Sequence, residues 1–299
     1  MKALWMVLGA FFFSTMAVCI KIASAWFNTS EIVFWRGIIG TVLMGLLAHY
    51  RGIGLASHYP GMHLWRSLAG VASLWAWFFA IAYLPVATAM TLNYMSGIWI
   101  AALVIGGGLL AWKPEHGPLF LRQQGPLALA VLAGFGGVIL VLQPAMATEQ
   151  SLGALLGLMS GLTAALAYMQ VGAMTRLGEP ETRIVFYFGL GSTVAGVIGM
   201  AIQGVSDWNW QHAAWLFPIG LLAALGQLCM TYAYSSGATL VVACLQYFGI
   251  VFGAIFSLIL FGDAIPAAGW VGMGLILVSG VAATVLRGRQ TPSAPAKEI

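Results

Sequence analysis

Arg36 sits inside the stretch IVFWRGIIGTV, residues 32–42, within an apolar run long enough to cross a bilayer. A guanidinium there is a strong anion ligand, because it stays charged and offers parallel N–H donors that fit a carboxylate or a phosphate. Lys21 lies late in the preceding apolar run. At 1.5 Å per residue both cations fall roughly 6 to 10 Å below the outer boundary of their spans, at one level on neighbouring antiparallel helices. An intramembrane charge costs about 2.5 to 3.5 kcal/mol at a helix centre and normally faces a cavity or a partner. Two readings are open. Both side chains snorkel to the outer headgroups, or Arg36 pairs with Glu31; alternatively, Lys21 and Arg36 together attract the acid group of a substrate. No Asp or Glu lies deep in any span to neutralise them, which favours the second.

Polar and aromatic residues within the spans extend the candidate substrate-binding set. Asn93-Tyr94 and Gln246-Tyr247 fall near mid-membrane, where an amide needs either an interhelical partner or a ligand. Gln227 and Tyr232, with Tyr168 and Gln170, are further polar positions in apolar runs. Trp75, Phe79 and Tyr83 recur at i, i+4 and i+8, an aromatic face suited either to stacking a planar or cationic group or to lipid packing. Catalytic or metal-binding groups are not expected. His49, His58, His63, His116 and His212 fall at span ends or in loops, and Cys19, Cys229 and Cys244 have no redox or metal spacing. No cofactor is implied, and an intramembrane enzyme would need paired His, Asp or Ser groups that the spans lack.

The elements that must hold these residues follow from composition. Of 299 residues 61% are apolar and 7% charged, with mean hydropathy +0.94, against roughly 25% charged in a soluble domain. The chain therefore reads as an all-α integral membrane protein whose surroundings are the lipid bilayer. Ten spans are expected at about 4–27, 31–49, 64–84, 86–110, 126–144, 152–175, 183–203, 213–234, 238–261 and 267–286. The first exceeds a typical signal-peptide core of about 7 to 15 residues, so Ala23-Ser24-Ala25 is not read as a cleavage site. With the N-terminus inside, ten of the twelve basic residues, Arg66 among them, fall on the cytoplasmic side and none outside, which predicts both termini in the cytoplasm of a bacterial inner membrane. The +4 net charge thus reports topology and does not imply nucleic acid.

An internal repeat organises the spans. IVFWRGIIGTV returns as IVFYFGLGSTV at 184–194, with Phe188 in the place of Arg36. Ala82 to Thr88 matches Ala233 to Thr239, Asn93-Tyr94 matches Gln246-Tyr247, and Gly125 to Gly136 matches Gly269 to Gly280, all at an offset near 150. Five spans per half is an odd number, so the second half must enter from the opposite face. Residues 1–145 and 151–287 are then inverted repeats around a central cavity, an architecture suited to alternating access; 288–299 reads as a disordered cytoplasmic tail. The Gly153, Gly157, Gly161 and Gly249, Gly253 series suit close contacts inside the bundle, leaving a monomer or weak homodimer.

Taken together, the Tyr-Leu-Pro-Val-Ala-Thr-Ala run at 83–89, Lys21, Arg36, Phe261-Gly262-Asp263 and the Gly-rich stretch to Gly280 resemble the drug/metabolite transporter superfamily, specifically its EamA-type ten-helix carriers. Glu31 to Arg36 and its repeat also resemble the subgroup of S-adenosylmethionine and organic-anion carriers. The acidic residue that this resemblance places after the fourth helix has no clean counterpart, because Lys113-Pro114-Glu115 stands there, whereas Asp263 occupies the equivalent place in the second half. The resemblance implies a cavity lined mainly by helices 1, 3, 4, 6, 8 and 9. The expectation is a secondary transporter of a small organic metabolite bearing a carboxylate: an amino acid, an organic acid or S-adenosylmethionine. An exporter of neutral or aromatic compounds is the alternative, and a channel suits the inverted repeat less well. Cationic drug efflux and proton coupling through a buried acid are disfavoured because no carboxylate is embedded in a span.

Overall fold

The computed structural model describes residues 4–100, 102–103, 117–142, 148–235, 242 and 245–290. Gly106 to Gly108, Lys113-Pro114-Glu115, His116, Cys244 and the tail from 291 lie outside the described residues. The elements are α1 (Trp5–Ala23), α2 (Thr29–Tyr50), α3 (Pro60–Tyr83), α4 (Val86–Tyr94), α5 (Gly117–Leu142), α6 (Thr148–Arg176), α7 (Glu181–Gln203), α8 (Leu216–Tyr234), α9 (Phe248–Phe261) and α10 (Ala267–Gln290). A single helical turn, Trp210–Ala213, precedes α8. Among the described residues there is no strand. Six helices are long and apolar enough to cross a membrane, and Leu132–Val141, Phe248–Phe261 and Ala267–Ala282 are shorter apolar segments. The chain is a multi-pass membrane protein.

The helix starts are written locally. Asn28 caps α2 by accepting from the Glu31 amide at 3.0 Å, while Glu31 accepts from the Asn28 amide at 2.9 Å, a reciprocal capping box. Pro60 opens α3 at the position where a missing N–H costs nothing. That start lies four residues before the expected boundary, so Arg66 is nearly two turns inside the helix.

Long-range packing pairs α2 with α7, α5 with α10 and α4 with α9. It also pairs α3 with α6 as α1 with α8, α2 with α8 as α3 with α7, and α1 with α9 as α4 with α6. Exchanging the first five helices for the second five carries this set onto itself. The α2–α7 crossing has the same property in atomic detail. Thr41 Oγ1 donates to Gly37 O at 2.8 Å and Thr193 Oγ1 to Gly189 O at 3.0 Å. A Cβ on Gly37 would stand 2.6 Å from the Thr193 amide nitrogen, and one on Gly189 2.7 Å from Thr41 Oγ1. The two backbones therefore approach closely, with only the Thr41 and Thr193 hydroxyls beside the contact. Gly153 and Gly157 admit Leu84 and Leu92 in the same way inside the bundle.

Two helices break at matched points. Met95 interrupts α4 before helix resumes at 96–100, and residues 246–247 form a turn ahead of α9. At both places the backbone tightens to three-residue spacing, Met95 N to Leu92 O at 3.3 Å and Gly249 N to Gln246 O at 3.0 Å. Such mid-helix tightening often accompanies a hinge.

The crossing supplies a paired test. Gly37→Ala should lower the melting temperature of the detergent-purified protein by several degrees, an overpacking cost of about 1 to 3 kcal/mol. Gly40→Ala, one turn on and with open space at its Cβ, should leave it unchanged. Equal melting of both variants with the wild type would remove the close crossing as a constraint.

Candidate functional site

The α2–α7 crossing sets the site. Arg36 directly precedes Gly37 and Phe188 directly precedes Gly189, and the crossing brings these repeat-related residues together with the Arg36 Cζ 4.9 Å from the Phe188 ring centroid. From α3, Arg66 reaches the same ring, with its Cζ at 4.0 Å. Both arginines are buried, at 3% and 2% exposure. They line one cavity with Phe13 and Met16 of α1, Gly70, Ser73, Leu74 and Trp77 of α3, Asn93 and Tyr94 of α4, Ala164, Ala167 and Tyr168 of α6, Phe188 of α7 and Gln227 of α8. The lining therefore includes α2 and α7, beyond the helices expected from the sequence, and no residue of α9.

Two cations enter this cavity beside neutral polar groups of Ser73, Asn93, Tyr94, Tyr168 and Gln227. Arg36 Nη1 donates to Ser192 Oγ at 3.4 Å, but Arg36 Nε, Arg66 Nε and Nη1, and Trp77 Nε1 are buried without a partner. All four are donors. Among the described residues, no Asp or Glu lines the cavity. The two guanidinium carbons, facing one ring, stand at most about 9 Å apart, a repulsion of about 2 kcal/mol or more at an effective dielectric constant of about 20. Stacking on the Phe188 face offsets part of this. A buried donor left unmade costs about 1 to 3 kcal/mol, so these donors call for an acceptor, water or ligand, within the cavity.

The other expected residues are placed as follows. Lys21 lies apart from Arg36: its Nζ donates to Ala82 O at 2.8 Å and Leu84 O at 3.0 Å, holding the α3–α4 corner. Glu31 is engaged with Ser206, accepting from its amide at 3.0 Å and its hydroxyl at 2.6 Å, so it does not pair with Arg36. Asn93 and Tyr94 line the cavity, with Asn93 Nδ2 donating to Ser160 Oγ at 3.1 Å, and Gln227 joins them. Gln246 is buried and accepts from Tyr234 Oη at 3.2 Å, away from the cavity. Tyr247 is buried, its ring over Gly97 and Gly280. Trp75 packs on Gly199, Tyr83 is exposed and stacks on Phe79, and Tyr232 meets Trp5 edge-on at the surface.

Arg66 is a correction. Topology counting sets it with the cytoplasmic-side cations and not with the intramembrane pair Lys21 and Arg36, whereas the structure buries it inside the bundle. The available signal was a polar stripe: His63, Arg66, Ser67, Gly70, Ser73 and Trp77 recur at three- and four-residue steps along one face of α3. In a membrane helix the polar stripe faces the bundle, so Trp77 lines the cavity while the aromatic face through Trp75, Phe79 and Tyr83 turns elsewhere.

The bundle is tied at both ends. At one, Glu31 and Ser206 are joined by Ser30 Oγ donating to Gln203 Oε1 at 2.6 Å. At the other, Glu179 accepts from Ser57 at 2.5 Å and from Arg183 at 2.9 Å, and Arg183 also donates to Gly54 O at 2.6 Å. Burial alone would raise the Glu179 pKa, but the hydrogen bonds from Ser57 and Arg183 and the charges of Arg183 and His63 hold it below the ordinary carboxylate range. Between these ties the cavity volume is about 40 Å³, room for a few waters at about 10 to 15 Å³ each. Admitting an organic molecule requires the helices to part.

Comparison with known proteins gives a consistent set of likenesses. Residues 1–106 match the EamA-like transporter family. The chain is 32% identical over 277 residues to the pseudopaline exporter CntI of Pseudomonas aeruginosa, covering 91% of each chain. It is 28% identical over 287 residues to a riboflavin transporter of Rhizobium johnstonii, covering 92% of this chain and 88% of that one. A solved crystal structure shares the fold at TM-score 0.64 and 17% identity, over 97% of this chain and 99% of the other.

An unpaired buried cation kept for a ligand costs stability in the ligand-free protein. Arg66→Met should therefore melt, without ligand, at or above the wild-type temperature. A drop of several degrees would instead make Arg66 a structural contact of Phe188.

Proposed function

The chain belongs to the EamA-like transporter family, and on that premise we propose that it is a secondary transporter moving a small carboxylate-bearing metabolite by alternating access. Its two halves, 1–145 and 151–287, act as inverted five-helix repeats of ten spans in a bacterial inner membrane, with both termini cytoplasmic. The self-mapping of the helix contacts and the matched breaks beside Asn93 and Gln246 support the repeat. The distribution of Lys and Arg supports the orientation. The relatives' names, an exporter and a transporter, support the transport role.

The observation that carries the reading is the pair of buried guanidinia on one cavity with unpartnered donors and no lining carboxylate. In the cycle, one end tie releases, the cavity opens to that face, the acid group takes up the Arg36 and Arg66 donors, and the bundle recloses. Asn93, Gln227, Tyr94 and Tyr168 hold the rest of the molecule. Lys21 acts from outside this cavity, by fixing the α3–α4 corner from which Asn93 and Tyr94 are presented. A second reading, transport of neutral aromatic compounds, draws on Trp77, Tyr94 and Tyr168 in the lining.

Proteoliposome flux separates them. Radiolabelled carboxylates should enter in a saturable manner, with Arg36→Gln and Arg66→Gln each lowering flux at least tenfold in folded, inserted protein. Undiminished carboxylate flux in both variants, or saturable flux of neutral aromatics alone, would favour the second reading.

A further inference from the structure

We infer that the site selects a dianion: a small organic molecule carrying two acid groups and no compensating cation, one group meeting Arg36 and the other Arg66. This rests on the reading of the cavity as a carboxylate site and narrows its substrate class. The ground is charge balance in an enclosed space. Two guanidinia that remain charged enter the cavity, and among the described residues no lining carboxylate opposes them. A closed, nearly dry bundle holding one monocarboxylate would keep one net positive charge, and holding an amino acid zwitterion would keep two. S-adenosylmethionine adds cationic groups beside its single carboxylate and fits worse still. A dicarboxylate brings the enclosed charge to zero, and its attraction to both guanidinia offsets the desolvation penalty that otherwise resists closure.

Two helices supply the donors for two acid groups. Arg36 comes from α2 and Arg66 from α3, and both guanidinia lie over the Phe188 ring. The free donors are also divided, Nε on Arg36 and Nε with Nη1 on Arg66, which leaves an acceptor position at each. Gly70 completes the second position. A Cβ at this position would collide with the Arg66 guanidinium and stand 2.8 Å from Phe188 Cε2. Glycine here leaves room for the guanidinium to lie back against the ring, and Gly70 is a positioning residue for Arg66.

Binding to the detergent-purified full chain tests this, with succinate, glutarate, the monomethyl ester of each, and aspartate as probes at constant ionic strength. For the wild type the diacid should bind about tenfold or more tighter than its monoester, the loss expected for one charge-assisted contact in a buried site. Aspartate, with its added ammonium, should also be weaker than succinate. In Arg66→Gln the gap between diacid and monoester should close. Gly70→Ala, which retains both charges, should shrink the diacid preference in the same direction, so the result does not rest on one charge deletion. Equal affinity of diacid and monoester for the wild type, or an undiminished diacid preference in Arg66→Gln, overturns the dianion inference and leaves the carboxylate reading standing. Failure of every acid to bind wild type overturns both.

Discussion

Two helices cross at Gly37 and Gly189 with backbone against backbone, and the functional geometry depends on that contact. Because each glycine is followed four residues later by a threonine bonded back to its carbonyl, the crossing is the same seen from either helix. The residue before each glycine then lies at the centre of the bundle. In one copy of the repeat that residue is Arg36, and in the other it is Phe188. A close approach that serves packing thus also brings a cation against an aromatic ring, with α3 adding a second cation from its own polar face. Had either glycine carried a side chain, the helices would stand further apart and the two guanidinia would not share one ring.

The energetic consequence is an unfavourable interior held for use. Buried donors without acceptors and like charges without a counter-ion each cost free energy, and the cavity concentrates both. The surrounding helices hold this arrangement through contacts made elsewhere: the capping box and Ser206 around Glu31, the network around Glu179, and Lys21 on the α3–α4 corner. The strain lies at the centre and the fasteners lie at the two ends. This distribution is what the proposed alternating-access cycle requires.

Much of this was legible in the chain. Arg36 stands out because its repeat partner is Phe188, although the repeat alone does not show that the two meet. The helical class and the placement of Asn93, Tyr94 and Gln227 beside a cavity are also within reach. Arg66 was obscured because positive-inside counting treats a basic residue near a span end as an anchor, and only the start at Pro60 shows how deep it lies. Trp77 was obscured by the stronger aromatic rhythm of Trp75, Phe79 and Tyr83, which follows a different face. Lys21 shows the converse: depth from the span end is readable, but the direction of a flexible amine is not, and here it turns to the Ala82 and Leu84 carbonyls.

The central claim is that the unpartnered donors of Arg36 and Arg66 make the cavity an anion site, and a diffraction measurement addresses it directly. Crystals of the full chain grown with selenate should give an anomalous selenium peak inside the cavity, within hydrogen-bond reach, about 3 Å, of the Arg36 or Arg66 guanidinium. An empty cavity in such a map, with selenate only at surface lysines and both guanidinia bonded to protein carbonyls, would contradict the account.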